Sequence, residues 1–195
     1  MKEDKQIWNE FKNEADHALP YIYNQNIDFL FFYGKKFTTE EDLVLDTIQD
    51  LFYDLIKYRK TLSETDNIRL YLLKSFRRKL LHGIENKKKL ARLDFDYNLE
   101  PGIVFSIEEE MITDEEQSRQ IKFIKQGLQE LNAKQREVIY YKFTLGYDYD
   151  QISEIMSITY DSARQLVSRG INSLKRFMLE NNFSSMLIYR LLVNK

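Results

Sequence analysis

Residues that break helices are scarce in this chain. Only 6 glycines and 2 prolines occur among 195 residues, and these two residue types cost an α-helix most. Apolar residues recur three and four positions apart in several stretches, most clearly at 43–56 and 68–76. That spacing places them on one face of a helix, which can be buried while the opposite face meets water. The sequence therefore predicts an all-α protein.

The distribution of charge predicts two helical domains separated by a linker. Residues 74–92 hold eight basic side chains and one acid, whereas residues 94–116 hold nine acids and no lysine or arginine. Pro101 and Gly102 lie within the acidic run, where they disfavour regular structure. A chain of 195 residues accommodates two small domains. We expect a first helical domain at 5–92, an acidic linker at 93–117, a second helical domain at 118–180 and a C-terminal tail at 181–195, for which an extra helix is one interpretation.

Several classes of protein have no support in the sequence. The chain has no cysteine, which excludes disulfides, thiol catalysis and zinc sites with cysteine ligands. It shows no stretch of signal-peptide type and no run of about 18 apolar residues that could span a membrane. The two histidines, His17 and His82, are far apart, and no phosphate loop, GxSxG or HExxH motif occurs. We expect a cytoplasmic, non-enzymatic protein with no cofactor, no metal ion and no direct membrane insertion.

The strongest local signal is a helix-turn-helix pattern at residues 147–178. Three apolar residues within 152–156 form the inner face of a short first helix. A tight turn follows, in which Thr159 is placed to cap a longer second helix. Apolar and small residues of that second helix, between 163 and 174, form its inner stripe and allow neighbouring helices to approach closely.

The outer face of the second helix has the chemistry of a DNA-reading surface. Arginine can bond guanine with two donors, glutamine can pair with adenine, and serine tends to hold phosphates. In such a motif the N-terminal half of the second helix enters the major groove. An ordinary helical hairpin with a solvated polar face is the alternative. The residues predicted to contact DNA are Tyr160, Asp161, Ser162, Arg164, Gln165, Ser168 and Arg169.

This part of the chain resembles region four of the extracytoplasmic-function sigma factors of bacteria. Residues 131–138 resemble the family's L-P-x-x-x-R-E-V opening, and residues 146–152 resemble its G-x-S-Y-x-E-I start of the helix-turn-helix. Three positions depart from that pattern: Asn132 stands where proline is usual, Asp148 where serine is common, and Gln151 where glutamate is usual. Segments of this kind also resemble the DNA-binding domains of response regulators.

The N-terminal part is similar to the family's region two, whose core reads D-x-x-Q-x-x-F. In residues 37–52, Asp46, Gln49 and Asp50 share one helix face by their spacing, while Phe52 points toward the core. The resemblance implies that this acidic and amide face binds the coiled-coil clamp of the largest polymerase subunit. A solvated helix surface is the alternative interpretation.

Residues 71–81 resemble the helix with which the family melts promoters. Basic side chains there would follow a phosphate backbone, and aromatic rings would stack on unpaired bases. Arg78 occupies a place where the family often has asparagine. The polar loop at 61–67 corresponds to a family loop whose pocket takes a base flipped out of the minus-ten element. The resemblance implies minus-ten contacts for Tyr71, Lys74, Arg77, Arg78 and Lys79.

As a whole, the resemblance implies a promoter-specificity subunit of RNA polymerase. Such a subunit binds the core enzyme, recognises the minus-thirty-five and minus-ten elements of promoter DNA and directs initiation. Its expected partners are core RNA polymerase, promoter DNA and an anti-sigma factor. Two alternatives remain: a conventional helix-turn-helix regulator that acts without core polymerase, and a helical adaptor that does not contact DNA.

Overall fold

A computed structural model of the chain describes residues 3–91, 103 and 115–181. These residues form helices joined by turns and loops, without a strand among them, which confirms the predicted all-α fold. The chain divides into two compact units, Met1–Pro101 and Gly102–Lys195. Unit 1 contains α1 (Asp4–Lys12), α2 (Ala18–Gly34), α3 (Glu41–Tyr58), a 3-10 turn (Arg59–Thr61) and α4 (Ile68–Ala91). Unit 2 contains α5 (Glu115–Gln129), α6 (Ala133–Ile139), a π-helical turn (Tyr140–Thr144), α7 (Tyr149–Met156) and α8 (Tyr160–Glu180).

Unit 1 is a bundle in which α2, α3 and α4 pack against one another, and α1 packs across α2 and α4. Large aromatic side chains fill its centre: the ring of Tyr33 lies 5.1 Å from that of Phe37 and 6.1 Å from that of Phe76. Gly34 ends α2 where it meets α3, and a Cβ there would lie 2.6 Å from Cγ1 of Val44. The small residue therefore sets the approach of α2 to α3.

The start of α3 is not capped by the side chain of its own N-cap residue. That residue is Glu40, whose side chain makes no capping hydrogen bond. The hydroxyl of Thr38 instead accepts a hydrogen bond from the Glu40 N–H at 3.1 Å. Glu41 and Asp42 do occupy the first turn, where negative charge complements the helix dipole.

Unit 2 is built around α8, which packs against α5, α6 and α7. The helix α6 begins with a reciprocal capping box, in which Asn132 and Gln135 each accept the other's backbone N–H. A Cβ on Gly170 of α8 would lie 3.0 Å from Cγ1 of Ile139 in α6, which confirms the predicted close approach of neighbouring helices. The buried cluster between these helices comprises Leu128, Leu131, Ile139, Leu174 and Met178.

A buried polar pair marks the passage from α6 into the π-helical turn. Glu137 is only 4% exposed, and its carboxylate accepts a hydrogen bond from the Tyr141 hydroxyl at 2.6 Å. Such a bond offsets the cost of burying the carboxylate. The neighbouring Tyr140 is 5% exposed, and burial raises the pKa of its hydroxyl to about 12.

The predicted linker at 93–117 and tail at 181–195 lie almost entirely outside the described residues. Within the predicted linker, Ile103 is fully buried, and α5 already begins at Glu115. In the described part of the chain, no helix has both the length and the apolar character needed to cross a membrane. The domain boundaries proposed from the sequence stay predictions.

Candidate nucleic-acid interface

The turn between the two helices of the helix-turn-helix has the geometry that the sequence predicts. Ser157 ends α7 in the left-handed conformation, with φ of 55°, which stops the helix and turns the chain. The next residue, Ile158, donates its N–H to the carbonyl of Ser153 at 3.0 Å. Thr159 is extended and its hydroxyl accepts the N–H of Ser162 at 3.2 Å. The predicted N-cap of the second helix is confirmed.

The two helices of the motif meet through the faces that the spacing predicts. In α7, Ile152, Ile155 and Met156 are buried. In α8, Ala163 and Val167 are buried one turn apart, while Leu166, at the edge of the same stripe, is half-buried. The side of α8 opposite this stripe is consequently turned to solvent.

All seven residues predicted to contact DNA lie on that solvent-facing side. They occupy the first ten positions of α8, and each is exposed. The structure thus gathers them on one surface at the N-terminal half of the helix, and their contact with DNA stays a prediction. The seven are Tyr160, Asp161, Ser162, Arg164, Gln165, Ser168 and Arg169.

The structure adds two residues to this surface. The ring of Tyr149, at the start of α7, meets the ring of Tyr160 edge-on at 5.7 Å between centroids. The ammonium of Lys142 lies 4.7 Å from the centroid of Tyr149, within the range of a cation–π contact. It also donates to the carbonyl of Tyr147 at 3.2 Å. No sequence pattern predicts the contacts among Lys142, Tyr149 and Tyr160, because these residues belong to three different elements.

The predicted polymerase-binding face lies along the exposed side of α3. Asp46, Gln49 and Asp50 are exposed together, whereas Phe52 is buried, as expected. One further residue, Tyr53, follows Gln49 by four positions and is 61% exposed. The acidic and amide face therefore continues into an aromatic side chain that the sequence motif did not include.

The end of α3 combines this ring with a cation. The ammonium of Lys57 lies 5.8 Å from the centroid of Tyr53 and 5.1 Å from that of Tyr58. A hydrogen bond with the Tyr58 side chain, together with the charges of both tyrosines, raises the pKa of Lys57. Leu45 and Ile56 are also exposed on α3. The helix thus presents a mixed acidic, aromatic and apolar surface.

The five residues predicted for the minus-ten element divide between two sides of α4. Tyr71, Lys74 and Arg78 share one side by their spacing of three and four, with Arg77 next to them. Lys79 points elsewhere: its ammonium lies 2.6 Å from the carboxylate of Asp54 in α3.

The environments of these residues also differ. Arg78 is exposed, whereas Lys74, Arg77 and Lys79 are half-buried. The half-buried ring of Tyr71 packs on the indole of Trp8 at 4.7 Å between centroids. Only part of its surface is therefore open to another ring. Farther along α4, the exposed Lys87 forms an ion pair with Glu40.

The two histidines take part in separate surface contacts. His17 pairs with Glu10 at 2.8 Å, and His82 with Asn86 at 3.0 Å. Among the residues that the structure describes, no cluster of three or more histidine and acidic side chains could hold a metal ion.

Comparison with known proteins places this geometry in a known fold. Residues 124–174 match the family described as Sigma-70, region 4, a span that runs from α5 through most of α8. No curated protein matches the sequence.

Two solved structures share the fold over most of the chain. CnrH in complex with the cytosolic domain of CnrY matches with a TM-score of 0.59 and 16% identity, covering 93% of this chain and 99% of that one. The sigma factor RpoE of Bartonella quintana, in complex with the anti-sigma factor NepR, matches with a TM-score of 0.54 and 17% identity, covering 87% and 97%. These findings confirm the predicted resemblance to sigma factors: residues 124–174 match the Sigma-70 region 4 family, and the chain shares the all-helical fold of the two solved structures.

Proposed function

We propose that this chain is a promoter-specificity subunit of bacterial RNA polymerase, of the extracytoplasmic-function class of sigma factors. In that role it binds core enzyme, recognises the minus-thirty-five and minus-ten elements and directs initiation of transcription. The observation that carries the proposal is the match of residues 124–174 to Sigma-70 region 4. That segment contains a helix-turn-helix whose second helix exposes a continuous polar face.

In this proposal α8 reads the minus-thirty-five duplex. A recognition helix directs its N-terminal residues to base edges in the major groove. Arg164 and Gln165 supply the donors and acceptors that guanine and adenine take in pairs, whereas Ser162, Ser168 and Arg169 suit phosphate oxygens. The exposure of all five side chains supports this assignment.

The helix α4 follows the melted minus-ten strand. Lys74, Arg77 and Arg78 provide the positive charge that a phosphate backbone requires, and Tyr71 offers the open part of its ring for stacking. Lys79 contributes less, because Asp54 already neutralises its charge at 2.6 Å.

The exposed face of α3 binds the clamp of the largest polymerase subunit through Asp46, Gln49 and Asp50. Tyr53 extends that contact, since aromatic residues are enriched where interfaces bury surface. The domain boundaries that accompany this proposal are 5–92, 93–117, 118–180 and 181–195.

The chain then supplies recognition and no bond-making chemistry, because RNA synthesis belongs to the core enzyme. Its place of action is the cytoplasm, where promoter DNA and polymerase are found. An anti-sigma factor is a further proposed partner. Support comes from RpoE of Bartonella quintana, which was solved with the anti-sigma factor NepR.

Reconstituted transcription tests the proposal. The purified chain is mixed with core polymerase and a panel of promoter DNA, and run-off transcripts are measured. We expect weak binding of the chain alone to duplex DNA and specific initiation when core enzyme is present. Tight binding to duplex DNA without core enzyme would favour the conventional regulator instead. Absence of both core association and DNA binding would favour the helical adaptor.

A further inference from the structure

A row of side chains on α1 is directed at the loop that joins the 3-10 turn to α4. We refer to residues 62–67 as the α3–α4 loop. Asp4, Trp8 and Lys12 are spaced by four residues, so they lie one above another on a single face of α1. Each of the three makes a hydrogen bond to this loop or to the residue that follows it.

These bonds are directed at the loop backbone. The indole N–H of Trp8 donates to the carbonyl of Ser63 at 2.9 Å, and the ammonium of Lys12 donates to the carbonyl of Leu62 at 2.9 Å. Asp4 accepts the N–H of Ile68, the first residue of α4, at 2.8 Å. Both ends of the loop are therefore attached to the same helix.

The surroundings strengthen these contacts. Trp8 is fully buried, and the Lys12 side chain is only 18% exposed, so water competes little for their hydrogens. Lys12 also pairs with the carboxylate of Glu64. Just after α1, Glu14 lies 3.1 Å from the guanidinium of Arg59 in the 3-10 turn.

The loop has little structure of its own to hold it in place. It contains no regular hydrogen-bonded element. Within it, the Thr65 hydroxyl donates to the carbonyl of Asn67 and accepts that residue's N–H, both at 3.1 Å. With their backbone held from α1, the side chains of Ser63, Glu64 and Asp66 are exposed. The backbone at both ends of the loop is thus held by α1, and Asn67 also caps α4 with its side chain, which accepts the Leu70 N–H at 3.0 Å.

Trp8 connects this loop to the predicted melting helix. Its N–H holds Ser63, and its ring packs on Tyr71 of α4 at 4.7 Å. A change in the position of the indole would therefore move the loop and the aromatic ring of α4 together.

We propose that α1 is a positioning element for minus-ten recognition: Asp4, Trp8 and Lys12 hold the α3–α4 loop in the shape that discriminates among bases of the melted strand. This inference rests on the proposed function and adds residues that need not touch DNA. If the three residues only stabilised the packing of unit 1, their loss would weaken initiation equally on every promoter. If they position the loop, their loss changes the preference among bases of the minus-ten element.

The test uses holoenzyme reconstituted from core polymerase and the full chain. Lys12→Met keeps the aliphatic stem and removes the donor, and Asp4→Ala breaks an independent bond to the start of α4. The matched control is Lys5→Met, which changes an exposed lysine on the same helix. Initiation is measured on a promoter library in which each minus-ten position carries all four bases, with a second library varied in the minus-thirty-five element.

We expect both variants to lose discrimination by about 2- to 10-fold at the same minus-ten position, the range that corresponds to one hydrogen bond. Preference in the minus-thirty-five element should match that of Lys5→Met. The inference is overturned if both variants reproduce the base preferences of Lys5→Met, or if they weaken all promoters equally. If the unmodified chain starts no transcription with core enzyme, the proposed function fails, and the inference falls with it.

Discussion

Asp148 and Gln151 cap the first helix of the helix-turn-helix reciprocally. The Gln151 N–H donates to the Asp148 carboxylate at 2.8 Å, and the Asp148 N–H donates to the side-chain oxygen of Gln151 at 3.0 Å. These are two of the three positions at which the sequence departs from the region-four pattern. A serine and glutamate pair would make the same two bonds. The two departures from the pattern therefore preserve the reciprocal cap at the start of α7.

Loss of this cap should destabilise α7. Asp148→Ala removes an acceptor for the first turn, and we expect a loss of about 1 kcal/mol in the free energy of opening that helix. Asp148→Ser should retain most of the stability, because its hydroxyl can still accept the Gln151 N–H. Amide hydrogen exchange of α7 measures the effect, and equal exchange in the alanine and serine variants would contradict it.

Two helix glycines should respond oppositely to alanine. Gly34→Ala places a Cβ 2.6 Å from the stiff side chain of Val44, so we expect a loss of about 1–3 kcal/mol. Gly83→Ala meets only the flexible end of Leu43 at 3.1 Å and should gain up to about 1 kcal/mol from helix propensity. Trp8, the single tryptophan, reports unfolding of unit 1 by fluorescence in urea. A stable Gly34→Ala variant would refute the close-packing argument.

Burial of Tyr140 predicts a loss of stability in alkali. Its pKa rises from 10.0 to about 12 mainly because burial disfavours the charged form. The folded state therefore keeps a proton that the unfolded state loses. The contribution of Tyr140 to the free energy of unfolding is fully present below pH 10.0. It falls by about 1.4 kcal/mol per pH unit as the pH rises from there toward the folded pKa.

The control for this prediction is Tyr140→Phe, which has no proton to lose. Thermal unfolding of the full chain, followed by circular dichroism at several values of pH, should show a shallower alkaline decline in this variant. Parallel declines in both proteins would mean that Tyr140 does not contribute.

The surface of α8 should carry promoter preference. Replacing Arg164 or Gln165 by alanine should change preference at one or two minus-thirty-five positions and cost about 1–3 kcal/mol. Arg176→Ala is the matched control, because it is exposed on the same helix but lies about two turns beyond Arg169. Binding by holoenzyme to a duplex library measures the change. Uniform weakening across all sequences would assign the two side chains to phosphates instead.

The exposed face of α3 should carry core association. Asp46→Arg reverses a charge on that face and should weaken binding to core enzyme by about 2–5 kcal/mol. Asp28→Arg makes the same charge change on the exposed side of α2 and should bind core enzyme normally. Binding is measured by titration with labelled core polymerase, and circular dichroism verifies that both variants are folded. Normal binding by Asp46→Arg would remove this face from the interface.

Much of unit 2 follows directly from local sequence. The spacing of Ile152, Ile155 and Ala163 identifies the inner faces of α7 and α8, and Thr159 marks where α8 begins. Such features involve residues within one or two turns of each other, so periodicity and capping chemistry suffice to place them. The exposed polar face of α8 follows as the complement of the buried stripe.

Contacts between helices are a different matter, because spacing along the chain contains no information about which outer faces meet. The sequence groups Lys79 with the other basic residues of α4, but the packing of α3 against α4 brings its ammonium to the carboxylate of Asp54. Trp8 looks like an ordinary core residue, yet its N–H holds Ser63, which is 55 positions away. Periodicity thus determines which residues of each helix are buried or exposed. The packing of the helices determines which exposed charges remain available and which side chains hold the α3–α4 loop, because those properties depend on distances between segments remote in sequence.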